Sequence, residues 1–237
     1  MHLGTLRLLG FVLALVALVS ACGGEDLGGE KLPTDAAGLG AAAAAAMGGV
    51  ESVHFTLERT GAPVFIDAAE SMSLNGLEGR FSAPGSADAI LQITVNDSLG
   101  TQIGAVAIDD EVWLSNPVTG EFETLPPGFD IDPSLFFDPE DGWRPLLEGL
   151  TDLTFVAEED RDGTRYHLTG TAPADEMQSI TAGLVRGQDV DLDIWLHPVT
   201  ALVTAIEFQT EFDGATSAWV LALDQYGESF TITDPTL

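Results

Sequence analysis

From Glu51 to the C-terminus most of the chain changes polarity with a period of two, and this alternation restricts the fold more than any other feature. Val53, Phe55 and Leu57 alternate with Ser52, His54, Thr56 and Glu58, and Ala89, Leu91, Ile93 and Val95 with Ile90, Gln92, Thr94 and Asn96. Each such segment is a strand with one buried face. Further strands are expected over 71–82, where Gly76 and Gly79 permit a bend, and over 152–159, 165–171, 189–196, 202–212 and 217–226. Residues 102–108 and 111–115 form a hairpin around Asp109-Asp110, and Asp160-Arg161-Asp162-Gly163 makes another tight turn. Consecutive strands joined this way are antiparallel neighbours.

The alternation breaks once, over 129–150 (FDIDPSLFFDPEDGWRPLLEGL). Asp132-Pro133 and Asp138-Pro139 read as helix starts, an acidic cap followed by a proline whose missing N–H costs nothing there. Two short helices are therefore expected. Leu135, Phe136 and Phe137 crowd the first, and Trp143, Leu146, Leu147 and Leu150 give the second one apolar face. That face either fills a core against the sheet or roofs an apolar cavity.

Two more helices flank the sheet. Residues 35–50 have a capped start after Pro33-Thr34, an alanine body and a Gly48-Gly49 stop. Residues 172–186, with Pro173 at the start, place Met177, Ile180 and Leu184 on one side. Gly38-Leu39-Gly40-Ala41-Ala42-Ala43 matches the dinucleotide fingerprint in letters only, because no strand precedes it and no βαβ unit follows. A small-residue helix packing closely on a sheet is the better account.

The N-terminus carries its own signal. Arg7 precedes an unbroken apolar run, Leu8 to Val19, as in a secretory signal peptide over 1–21, and the run is too short for a spanning anchor. It ends Val19-Ser20-Ala21-Cys22, which resembles the bacterial lipobox, whose cysteine receives fatty acyl groups such as palmitate and becomes the new N-terminus. Cys22 is the only cysteine, so in an exported protein it is better explained as spent on lipid than as nucleophile or ligand. Residues 22–34 then form a lipidated, glycine-rich tether that reaches about 20 Å, leaving 35–237 as a single domain at the outer face of the cell membrane.

Charge narrows the partners. With 38 Asp+Glu against 8 Lys+Arg the formal net charge is −30, which disfavours nucleic acid and anionic membrane surfaces. The search for chemistry is mostly empty. No G-x-S-x-G, H-E-x-x-H or P-loop occurs, so no catalytic residue, cofactor or metal site is assigned. His54, His167 and His197 stand on separate strands or at a turn without ligand-like spacing. Asp160-x-Asp162-Gly163 lacks the remaining ligands of a calcium loop and is read as a turn.

Taken in order, the lipobox, helix, strand meander, Asp132-to-Leu147 segment, short hairpin, helix and three final strands resemble the mycobacterial LppX and LprG lipoproteins. The local matches are Ser52-Val53-His54-Phe55, Asp132 to Leu150, Gly163 to Gly170 and Ile194-Trp195-Leu196. The resemblance implies an α+β fold, a strongly curved antiparallel β half-barrel with helices covering its concave face and enclosing a hydrophobic cavity. It also implies carriage of lipids or glycolipids with two or three acyl chains across the cell envelope, by a mechanism likened to the LolA and LolB carriers, with an envelope export partner as a further possibility of the same kind. Strand alternation and helical spacing, combined with that architecture, assign the cavity to Phe55, Leu91, Ile93, Leu192, Ile194, Ile206 and Phe208, roofed by Phe136, Leu146, Leu147 and Ile180. The alternatives are an anchored interaction or sensory domain with a filled core, and a hydrolase using carboxylates that the sequence does not single out.

The anchor is directly testable. Cys22→Ala should abolish labelling by a clickable fatty acid, and labelling that survives the substitution removes the lipoprotein expectation.

Overall fold

The computed structural model describes residues 29–236 apart from 68, 110, 126–136, 138–141 and 182. Within them lie α1 (Ala36–Met47), β1 (Ser52–Gly61), β2 (Val64–Phe65), β3 (Met72–Ser82), β4 (Ser86–Val95), β5 (Leu99–Ile108), β6 (Glu111–Ser115) and β7 (Phe122–Thr124). There follow α2 (Trp143–Gly149), β8 (Thr151–Asp160), β9 (Thr164–Ala172), α3 (Ala174–Ile180), β10 (Val190–Leu196), β11 (Val203–Phe212) and β12 (Ala215–Asp224).

The strands make one sheet in the order β7-β6-β5-β4-β3-β1-β12-β11-β10-β9-β8, with β2 added beside β3. Each pairing is antiparallel, and the two end strands, β7 and β8, do not meet. The sheet is therefore an open half-barrel. Two meanders, β3 to β7 and β8 to β12, are joined by the pairing of β1 with β12.

Because paired residues put their side chains on the same face, the alternation in each strand adds up to continuous apolar rows across the sheet. One row runs Phe155, Leu168, Ile194, Ile206, Leu221, Leu57, Leu77, Leu91 and Ile103 from β8 to β5. Where the register shifts between Leu74 and Gly76, the Arg59 guanidinium crosses the bulge to the Leu74 carbonyl and donates to Asn75 Oδ1 at 3.0 Å.

The helices lie on the concave side. In α1 the carboxylate of Asp35 accepts from Gly38 N at 2.8 Å, closing the first turn. A Cβ at Gly40 would stand 2.6 Å from Leu153 Cδ2 of β8, so the glycine permits close packing there. Leu39, Ala43 and Met47 are buried from α1, and Leu146 and Leu147 join them from α2. The helix expected over 172–186 ends at Ile180, because Gly183 and Gly187 take φ of +75° and +65°, outside any right-handed helix. The helix starts expected at Asp132 and Asp138 lie outside the described residues.

The apolar interior divides in two. The larger cluster gathers α1, α2, α3, the concave faces of β1 and β9 to β12, and Phe81 and Ala87 where β3 turns into β4. The smaller comprises Leu74, Ala89, Leu91, Ile93, Ile103, Ala105 and Trp219, with Val64 and Ile66 of the β2 segment packed against it. Ile93 is 1% exposed there. Ile93→Trp should therefore strain a filled core and lower stability by about 1–3 kcal/mol or more, read as a shift of the denaturation midpoint. An unchanged midpoint would mean that this part of the concave face has free space.

Candidate functional site

Between the sheet and its helices lies a void of about 80 Å³. Its floor is built by Phe55, Leu57, Leu77, Leu192, Ile206, Phe208, Trp219, Leu221 and Leu223, residues of β1, β3 and β10 to β12 whose side chains share the concave face. Its roof comprises Phe137, Trp143 and Leu146 of the α2 region, Met177 and Ile180 of α3, and Thr181, Leu184 and Val185 just beyond it. Phe137 stacks on Phe81 with centroids 4.6 Å apart and stands 5.8 Å from the Phe55 ring. Phe55 in turn lies over Gly79, where a Cβ would come within 2.6 Å of the ring. The glycine is needed for that approach. Phe55, Leu146 and Leu223 are buried, whereas Leu57, Leu77, Phe208, Leu221 and Leu184 are only half-buried.

Of the residues assigned to a cavity by sequence, Phe55, Leu146, Ile180, Leu192, Ile206 and Phe208 line this void. Leu147 and Ile194 are buried in the surrounding cluster without lining it. Leu91 and Ile93 belong to the second cluster and do not line the void. Phe136 and Cys22 lie outside the described residues. Alternation within 52–58 and 217–226 puts Leu57, Trp219 and Leu221 on an inward face. Their place in the wall follows from register across β1 and β12, which alternation does not supply. Leu184 and Val185 reach the void from a turn, and no period marks such residues.

Polar groups around the void are nearly all engaged. Trp219 Nε1 donates to Thr210 Oγ1 at 2.9 Å. The Thr181 hydroxyl donates to the Met177 carbonyl and accepts from Val185 N at 3.0 Å. Arg59, paired in register with Trp219, is held by neutral acceptors, and burial pulls its pKa down. Among the described residues Trp143 Nε1 is the exception, buried without a hydrogen-bond partner.

The histidines serve the convex face. His54 lies between Asp224 at 2.7 Å and Glu78 at 3.1 Å, and so ties β1 to both neighbours. His167 lies between Glu159 at 2.9 Å and Asp193 at 2.7 Å and stacks on Trp195, whose Nε1 donates to Glu159. Hydrogen bonds from Trp195 and His167, with Arg161 nearby, hold the Glu159 carboxyl below its usual range. Arg161 covers the other part of this patch, 4.0 Å over the Trp195 ring and paired with Glu207. His197 Nδ1 accepts from Val199 N and Thr200 N within a turn. Among the described residues no three of His, Cys, Asp or Glu are placed to hold a metal ion.

An open antiparallel half-barrel with a helical roof over an apolar void is one kind of lipoprotein domain. The family model of the LppX_LprAFG lipoproteins matches residues 35–232, and the chain belongs to that family. The crystal structure of LprF from Mycobacterium bovis superposes with a TM-score of 0.65 at 15% identity, covering 87% of this chain and 99% of that one. LppX from Mycobacterium tuberculosis superposes with a TM-score of 0.57 at 17% identity, covering 84% and 100%. At such identities the likeness is one of fold. No curated protein matches the sequence. Among the described residues no helix is long and apolar enough to cross a membrane.

The convex-face ties predict a pH dependence. Burial alone would lower the His54 pKa, but hydrogen bonds and charge from Asp224 and Glu78 outweigh it, and the pKa is raised above 6.5. The tie thus contributes fully below pH 6.5 and is lost as pH rises through the folded value. His54→Gln should cost more stability at about pH 5.5 than at about pH 8.5. A deficit that is constant across that range, measured by denaturant unfolding, would overturn this.

Proposed function

We propose that the chain is a carrier fixed by acyl groups on Cys22 to the outer face of the cell membrane. It takes the acyl chains of a lipid or glycolipid between sheet and roof and moves them across the cell envelope. The observation that carries this reading is the void, walled by apolar side chains inside the half-barrel of a lipoprotein family. Such a wall favours transfer of apolar surface, about 0.8 kcal/mol for each CH₂ buried, and presents no group that makes or breaks a bond.

Size sets a condition. A void of about 80 Å³ is smaller than the roughly 300–1,000 Å³ of ordinary ligand sites, so two or three chains require α2 and α3 to move off the sheet. Both helices have 7 residues, too few to hold themselves without packing, so the roof stands where its contacts put it. The same small volume favours a second reading, an anchored interaction or sensory domain whose interior is simply filled.

An organic extract of the full chain, purified from its own membranes, separates the two. A lipid with two or three acyl chains should co-purify and be visible by mass spectrometry. Leu221→Trp, which fills the void from a half-buried position, should lose that lipid and keep a cooperative melt. A wild-type chain that carries no lipid and takes none from vesicles overturns the carrier reading in favour of the filled domain.

A further inference from the structure

The void and the second apolar cluster share one wall. Leu57, Leu77, Leu184, Phe208 and Trp219 line the void and also pack in or against that cluster. The other buried members of the cluster, Leu74, Ala89, Leu91, Ile93, Ile103 and Ala105, do not line the void. Side chains alone therefore separate the two, and the largest of them is the indole of Trp219.

Trp219 stands apart within its cluster. The other buried members lie on β3, β4 and β5, whereas Trp219 lies on β12, with β1 between them in the sheet. Its ring thus reaches across the seam, and it is held there on two sides. One face stacks on Phe208, with centroids 5.7 Å apart and planes within 9° of parallel. The edge is fixed where Nε1–H donates to the buried hydroxyl of Thr210 at 2.9 Å. A leucine or methionine in that wall would yield to an incoming chain by changing rotamer. An indole fixed at its face and its edge does not. The roof can lift, as the size of the void requires, but this wall belongs to the sheet and is pinned by hydrogen-bonded pairing on both sides of β12.

We propose that Trp219 is the stop that fixes the longest acyl chain the void accepts. A chain laid along the concave face from the helix-covered strands meets the indole before it reaches the second cluster, so any methylenes past that point find no apolar place. Phe208 and Thr210 are positioning residues that act through the ring. This inference rests on the carrier reading and adds what limits the length of its cargo.

The full chain, stripped of native lipid and held in detergent micelles, is offered an equimolar series of diacylglycerols of increasing chain length, then recaptured and extracted for mass spectrometry. Wild-type retention should rise about fourfold for each further methylene that finds an apolar place, and then fall beyond a limit. In Trp219→Leu that limit should move to longer chains. With room for about two more methylenes, the members just past the wild-type limit should be retained roughly tenfold better. Phe55→Leu removes an aromatic ring from a part of the wall that does not pack on the second cluster, so it should leave the limit in place. Thr210→Val keeps the indole and removes its acceptor, so it should admit the same longer members, and it carries the reading if Trp219→Leu fails to fold. A wild type without an upper limit, a limit that Trp219→Leu and Thr210→Val both leave in place, or one that Phe55→Leu moves as far as Trp219→Leu, overturns the inference and leaves the carrier intact. Retention of no member of the series, and of no lipid from its own membranes, overturns the carrier itself.

Discussion

The pairing of β1 with β12 is the constraint on which the rest of the molecule depends. It joins residues as far apart as His54 and Asp224 and converts two separate meanders into one concave surface. Only after it forms do Leu57 and Leu221 become neighbours, and only then does the apolar row pass from one half of the sheet to the other. The void sits beneath this seam, with Phe55 and Leu57 on one side and Leu221 and Leu223 on the other. A contact of such long range is entropically costly to close. The His54 tie to Asp224 and Glu78 fastens the same three strands from the convex face.

Alternation made most of the sheet legible because each strand has one face toward the core and one toward water. It could not show β2 or β7, which have 2 and 3 residues and so no period to read. It also marked Leu91 and Ile93 as inward residues but could not say what covers them. Strands β4 and β5 carry the same pattern as β11 and β12, yet one pair faces the second cluster and the other the void. That difference lies in register and in the path of the connections. Likewise the spacing of Met177, Ile180 and Leu184 suggested one helical face. Gly183 ends the helix first, and Leu184 reaches the void from the turn that follows.

An unclosed half-barrel must protect two strand edges that a full barrel would hide. Strand β7 is short and contains Glu123 next to Glu121, while β8 ends in Glu158, Glu159 and Asp160 and twice breaks register with β9. Short length, charge and irregular pairing all discourage another chain from adding itself to an edge. Part of the extreme acidity thus has a local use. Among the described residues Glu78, Glu159, Asp193 and Asp224 stand with the histidines of the convex face, and the sheet residues that line the void are apolar.

The start of the described chain is fastened at one end of the sheet. Leu32 N donates to the Pro198 carbonyl at 2.8 Å, the Tyr166 hydroxyl donates to the Leu32 carbonyl at 2.9 Å, and Lys31 pairs with Glu158. The β4–β5 and β11–β12 turns, with exposed Leu99 and Phe212, lie at the other end, one ten-residue strand or about 33 Å away. Tension applied through the N-terminal segment therefore enters at β8 to β11 and runs lengthwise along the strands of that half. The β3 to β7 half is reached through the β1–β12 seam and through the core that Phe81 and Ala87 share with the helices, so a molecule held by its N-terminus is loaded first on the half that supplies Leu192, Ile206 and Phe208 to the floor of the void.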